Sequence, residues 1–294
     1  MPADRFQYAI NTNSLKGMSY EEIAILAKKI GAQGIEWGLP PLDKAPEASR
    51  EMRKISDDYG LDIVGYLNAG HLWKSDVIRR WSDAIAPNGG KMLRVSPPWI
   101  AWNFDESLHQ RASYPEMVKI TREGLENLLP LGKEYGITYV VETHASGISA
   151  SIPLIRYLMD GLDPAYVGII YDPANGVVEG GIRPRGAVEM LLPYLSYVHA
   201  KNILFVPSGD FHPGPVPRVK WYTKSCALEC GILDWIEVFF GLKKVGYRGW
   251  FSLEEFFKDS SDLESTLKRS LHFLRECAKF APEKPEEPFT TFND

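Results

Sequence analysis

Cysteine is scarce in this chain: 294 residues carry three, Cys226, Cys230 and Cys277. An odd count with a lone C-x₃-C spacing gives neither a second pair of zinc ligands nor an even disulfide set, so the three read as buried reduced thiols. No apolar run approaches the roughly 18–20 residues of a membrane span. The opening Met1-Pro2-Ala3-Asp4-Arg5 lacks the apolar stretch of a secretory leader. Basic residues are not in excess, because 33 Lys and Arg stand against 38 Asp and Glu for a net charge of −5. That balance argues against a surface built to track phosphate backbones. No glycine fingerprint follows an early strand, which argues against a doubly wound dinucleotide-binding sheet. These absences predict a soluble, cytoplasmic protein with no nucleic-acid or membrane partner. With 45% hydrophobic and 24% charged residues, the composition is that of an ordinary globular chain, long enough for one large domain or two small ones.

One unit, an apolar β-like run followed by an amphipathic helix, is written eight times. The strands are read over Phe6–Thr12, Gly34–Trp37, Leu61–Tyr66, Met92–Val95, Ile137–Glu142, Val167–Tyr171, Tyr197–Lys201 and Gly249–Glu254. The first helix opens at Ser19 with Glu22 three residues on, a capping box; Ile23, Leu26, Ala27 and Ile30 form its apolar stripe, and Gly31 ends it. Ser113 with Glu116, and Ser261 with Glu264, repeat that start signal, and Pro130 is expected to kink the helix that Ser113 opens. Strands such as Ile137-Thr-Tyr-Val-Val are apolar on both faces, as helix-covered parallel strands are. The pattern predicts an α/β fold, a single (β/α)₈ barrel over 1–281 with a Pro- and Glu-rich tail over 282–294; an open doubly wound sheet is the alternative. The longest strand-to-helix loops, 67–73, 96–113 and 202–232, would all lie on the C-terminal face of such a barrel. The 202–232 stretch is expected to form a wall or lid.

Four successive strands end in a residue able to bind a metal: Glu142, Asp172, His199 and Glu254. Singly, each reads as a cap, a turn residue or an ion-pair partner. Together at neighbouring strand ends they bring three carboxylates and an imidazole to one barrel mouth. Carboxylates crowded at low dielectric repel unless a positive charge sits among them, and a divalent cation supplies it. Mostly oxygen ligands with one nitrogen favour Mn²⁺ or Mg²⁺, with Co²⁺ or Zn²⁺ feasible.

The runs Val-Val-Glu-Thr-His, Tyr-Asp-Pro-Ala-Asn, Val-His-Ala-Lys-Asn and Gly-Tyr-Arg-Gly-Trp-Phe-Ser-Leu-Glu resemble the xylose isomerase-like barrel family of sugar isomerases and epimerases over residues 6–280. The resemblance implies that Glu142, Asp172, His199 and Glu254 are metal ligands and that Glu142 and Glu254 also act as the acid/base pair. It implies a keto sugar or related carbohydrate as substrate, with proton abstraction α to a metal-held carbonyl through an enediolate. It also implies a homo-oligomer, a dimer or tetramer. An inosose dehydratase-like lyase on the same ligands, or β-elimination from a keto-glycoside, is the alternative. An apurinic-site endonuclease-like repair enzyme is a more distant one. Ketose 3-epimerases of this family carry a histidine where this chain has Asn175, and an arginine near the place of Phe205.

The expected substrate contacts are His144 and Lys201, each two residues beyond a predicted ligand, with Asn175, Glu36, Asn68, His71 and Trp102. Glu36 has a competing reading as the partner of Arg94 inside the barrel. Lys201 has one as an ion-pair partner of a neighbouring carboxylate. Trp37, Trp73, Trp99 and Trp102 fall at strand ends or in the long loops, where aromatic rings stack on sugar C–H faces or pack the loops together. Arg183, Arg185, Arg218 and Lys220 either hold a phosphate or decorate loops.

Overall fold

Eight short strands, each apolar on both faces, bury one face inside a barrel and the other under helices. They are β1 (Gln7–Asn11), β2 (Gly34–Gly38), β3 (Asp62–Leu67), β4 (Met92–Arg94), β5 (Thr138–Glu142), β6 (Val167–Tyr171) and β7 (Leu195–Ala200), with a last strand at Trp250–Leu253. All pair in parallel, and β1 joins both β2 and the last strand, so the sheet closes on itself. The computed structural model describes residues 5–99, 112–145, 147–178, 181–212, 218–256 and 262–283, with backbone alone over 208–212 and 218–220.

The core has two compartments. A large shell between strands and helices includes Ile35, Trp37, Leu125, Val141, Val198, Phe239 and Phe251. A small plug inside the barrel consists of Ala9, Val64, Val140, Ile170 and Tyr197, with Met92 and Trp250 against it. Among the predicted mouth aromatics, Trp37 belongs to the shell: it is fully buried and donates its indole N–H to Ser56 Oγ (3.2 Å). It is a packing residue and not a mouth residue.

Local signals explain the helices. In α1 (Tyr20–Ile30), the Ser19 N–H donates to Glu22 Oε2 (2.7 Å) and the Glu22 N–H to Ser19 Oγ (3.3 Å). Such a cap contributes about 1 kcal/mol. Gly31 closes the helix at φ 81°, a left-handed position that a Cβ would strain. Next come α2 (Ala45–Asp58), α3 (Ser75–Ile85) and α4 (Tyr114–Tyr135), the last opened by a capping box from Ser113 to Glu116. The fourth helix is continuous through Pro130 for 22 residues. It seats closely because residue 132 is glycine; a Cβ there would lie 2.6 Å from Tyr166 Cβ. The helix over Leu263–Phe280 is capped one residue later than expected. Asp262 Oδ1 accepts the Ser265 N–H (2.9 Å), and a carboxylate at this point also meets the positive end of the helix dipole.

The 202–232 segment departs from the reading as a loop. It contains an antiparallel hairpin, β8 (Asn202–His212) with β9 (Arg218–Cys226), paired from Asn202↔Cys226 to His212↔Arg218. Val206, Val219, Trp221, Tyr222 and Thr223 are strand-favouring residues, and that propensity outweighs the prolines concentrated between the strands. The Asn202 side chain ties the hairpin root, donating to Leu228 O (2.7 Å) and Leu233 O (3.2 Å) and accepting from Leu233 N (3.1 Å). Among the described residues no helix is long and apolar enough to cross a membrane.

Candidate metal centre

Side chains two residues apart on a strand share a face, so the interior plug predicts what stands above it. Ala9 leads to Asn11, Met92 to Arg94, Val140 to Glu142, Ile170 to Asp172, and Tyr197 to His199 and then Lys201. Each strand turns from apolar to polar within one step toward its carboxyl end. Asn11, Glu36, Arg94, Glu142, Asp172, His199, Ser252 and Glu254 are all buried.

One donor atom from each of Glu142, Asp172, His199 and Glu254 lies within 4.8 Å of the others. His199 Nδ1 is 3.2 Å from Glu142 Oε1 and 3.8 Å from Glu254 Oε2. Lys201 Nζ bridges Asp172 Oδ2 (2.7 Å) and Glu254 Oε2 (2.8 Å), and Arg94 Nη2 meets Glu142 Oε2 at 2.5 Å. Burial opposes ionisation of Glu142, but Arg94 and His199 outweigh it and hold its carboxyl well below the ordinary range. Burial also disfavours a charged His199, yet Glu36, Glu254 and Glu142 raise it well above the ordinary value. Asp172 is pushed up to about 6 by burial, although Lys201 pulls it down.

Charge balance tests whether these residues fit a divalent cation. In this layer, among the described residues, the carboxylates of Glu36, Glu142, Asp172 and Glu254 face two permanent cations, Arg94 and Lys201. The carboxylates that raise His199 toward its charged form express the same imbalance: once the ring is neutral, as a metal ligand must be, four carboxylates exceed the two permanent cations by two charges, which one divalent ion supplies. The donor set of carboxylates plus one imidazole fits such an ion.

The remaining predicted residues divide into two groups. Asn68, His71, His144 and Lys201 line a cavity of about 420 Å³ above the quartet, with Asn13, Arg94, Ser96, Trp99, Glu142, Glu254 and Phe256. This volume is within the roughly 300–1,000 Å³ of small-molecule sites. His71 stacks on Trp73 (ring centroids 4.3 Å), and His144 stands edge-on to Trp99 (4.2 Å). Asn68 adopts φ 67° at the end of β3, accepting from Arg94 Nη1 (3.4 Å) and donating to Asn13 Oδ1 (3.2 Å). Lys201 fulfils its ion-pair reading while still reaching the cavity.

Asn175 and Glu36 do not line that cavity. Asn175 Nδ2 donates to Asp172 Oδ2 (2.9 Å) and Glu142 Oε1 (3.2 Å), so its amide hydrogens are spent on the carboxylates. Glu36 is fully buried beneath the cavity and is bonded to His199, Tyr197, Ser252 and Asn11; Arg94 pairs with Glu142 instead. Arg185 faces Glu237 at 3.7 Å and does not line the cavity. Trp102, and the side chains of Arg218 and Lys220, lie outside the described residues. Asn11, Ser252 and Phe256 were not anticipated. The first two were signalled by period-2 spacing, Asn11 from Ala9 and Ser252 from Glu254.

Known proteins agree with this architecture. A family model described as the xylose isomerase-like TIM barrel matches residues 25–277. An inosose dehydratase of Bacillus anthracis (strain CDC 684 / NRRL 3495) is 26% identical over 165 residues, covering 55% of this chain and 53% of that protein. The match thus spans about half the length of this curated relative. Among solved structures, the 3-keto-D-glucoside 4-epimerase from E. coli superposes with a TM-score of 0.70 at 18% identity, covering 92% of this chain and 100% of that one. The IolI protein, solved with a bound zinc atom, gives a TM-score of 0.70 at 13% identity, covering 95% and 100%. The family match extends over most of the closed barrel and all four strand-end ligand candidates, and on that match this chain belongs to the xylose isomerase-like TIM barrel family.

Proposed function

We propose that this chain is a divalent-metal-dependent isomerase or epimerase acting on a keto sugar or related carbohydrate. The observation that carries the reading is the gathering of three buried carboxylates and one imidazole, with donor atoms within 4.8 Å of one another, at a polar, sugar-sized cavity. Glu142, Asp172, His199 and Glu254 would hold the ion. When bound, it supplies Lewis acidity that polarises a substrate carbonyl and acidifies the neighbouring C–H. Mn²⁺ or Mg²⁺ suits the oxygen-rich donor set, and the zinc of the IolI protein keeps Zn²⁺ among the candidates.

The chain's own groups supply proton transfer and orientation. Glu142 and Glu254 reach the cavity from strands separated by β6 and β7, so one carboxylate takes the α-proton on one side and the other returns a proton from elsewhere around the mouth. Arg94 pairs with Glu142 and Lys201 with Glu254, which orients the two carboxylates. Asn13, Asn68, His71 and His144 offer hydrogen bonds to hydroxyls, and Trp99 and Phe256 offer apolar faces to the ring.

A dehydratase on the same site is the second reading, favoured by the inosose dehydratase relative. It requires only that a group such as His144 or Lys201 protonate a departing β-hydroxyl. Incubation of ketose and inosose candidates with Mn²⁺ in deuterated water tests the proposal. Wild type should incorporate deuterium at the carbon next to the carbonyl. Glu142→Gln and Glu254→Gln should each lower incorporation by about 10²–10⁴-fold while keeping the wild-type circular dichroism spectrum. Undiminished exchange in both variants rejects the acid/base pair, and loss of water from the substrate selects the dehydratase.

A further inference from the structure

We propose that Glu36 is the positioning residue of this centre: its carboxylate takes the Nε2–H of His199 and so turns the Nδ1 lone pair toward the ion. The inference rests on the metal-dependent reading above and adds to it a residue that touches neither ion nor substrate. Glu36 enters the barrel from β2, has no exposed surface, and does not line the cavity.

The hydrogen bonds define its role. His199 Nε2 lies 3.0 Å from both Glu36 oxygens. Oε1 also accepts the Tyr197 hydroxyl (2.5 Å), while Oε2 accepts the Ser252 hydroxyl (2.5 Å) and Asn11 Nδ2 (3.0 Å). Every neighbour donates to it, so the carboxylate is held in one orientation. On the opposite edge of the imidazole, Nδ1 faces Glu142 and Glu254. An imidazole that ligates through one nitrogen must carry its proton on the other, and the partner of that second nitrogen fixes the tautomer. Glu36, which can only accept, therefore selects the Nε2–H form.

Glu36→Gln keeps the shape and inverts this logic. The Tyr197 and Ser252 hydroxyls can turn to accept from the new NH₂ group, but a protonated His199 Nε2 cannot. Both carboxylate oxygens lie 3.0 Å from that nitrogen, so the NH₂ group meets it from either position and favours the ring proton on Nδ1, which blocks the ligating lone pair.

The test uses chelator-treated full-length protein, Zn²⁺ as the probe, calorimetric titration, and ¹⁵N NMR of the histidine rings. Zn²⁺-loaded wild type should show His199 protonated at Nε2 and bare at Nδ1. Glu36→Gln should show the Nδ1–H tautomer before loading and a Kd for Zn²⁺ weaker by about 10–100-fold. A variant with the wild-type tautomer and a Kd within twofold overturns the role of Glu36 and leaves the metal centre standing. Should wild type itself take up no Zn²⁺, the metal-dependent reading fails and Glu36 with it. If Glu36→Gln does not fold, the loaded wild type decides alone: a proton on Nδ1 overturns the proposal and one on Nε2 supports it.

Discussion

Asn175 shows how much of the centre depends on side chains that bind nothing but their neighbours. Its backbone N–H donates to Asp172 Oδ1 (3.0 Å), and its amide donates to both Asp172 and Glu142. Asn175→Ala leaves two buried carboxylates short of donors, a loss of about 1–3 kcal/mol. It should lower the midpoint of urea unfolding and weaken Mn²⁺ binding, read by denaturation and calorimetry. Arg94→Met is more severe because Glu142 would remain buried without its guanidinium; about 3–5 kcal/mol of stability should disappear. An unchanged urea midpoint in this variant would contradict the ion pair. Glu36 is read from its place at the end of the second strand and Asn175 from its place three residues after Asp172, and neither position gives a measure of depth. Depth depends on the stagger between strands, which a single strand's sequence does not contain. Both residues therefore read as substrate contacts although they lie beneath or behind the carboxylates.

Elements were more legible than residues. Capping boxes at Ser19 and Ser113 start helices where the sequence placed them, because a cap is a local hydrogen-bond pattern carried by residues three apart. The hairpin escaped notice because strand pairing is non-local: Asn202 meets Cys226, and the intervening prolines dominate a local reading. Its root is the point to probe. Asn202→Ala removes the four side-chain hydrogen bonds that tie Ile203, Leu228 and Leu233, and leaves a cavity beside Gly231. Limited proteolysis should then cut within 202–226 several-fold faster than in wild type, while the barrel resists. Equal cutting rates would show that the hairpin is held elsewhere.

The whole molecule separates apolar and charged burial. A plug of five residues fills the barrel interior, a continuous apolar shell surrounds the strands, and the buried charge of the centre is gathered in one polar layer at the mouth. That layer is the least self-sufficient part of the fold, since its carboxylates outnumber its permanent cations. An ion that binds only the folded state stabilises it by mass action, about 2.7 kcal/mol at a hundredfold excess over Kd. The most direct measurement is therefore a calorimetric Mn²⁺ titration of chelator-treated protein, alongside Asp172→Asn and His199→Gln. One ion per chain should bind to wild type and raise its melting temperature, with binding lost or weakened at least tenfold in both variants. A wild-type protein that takes up no ion at millimolar Mn²⁺, or variants that bind as wild type does, would contradict the assignment of this quartet as a metal centre.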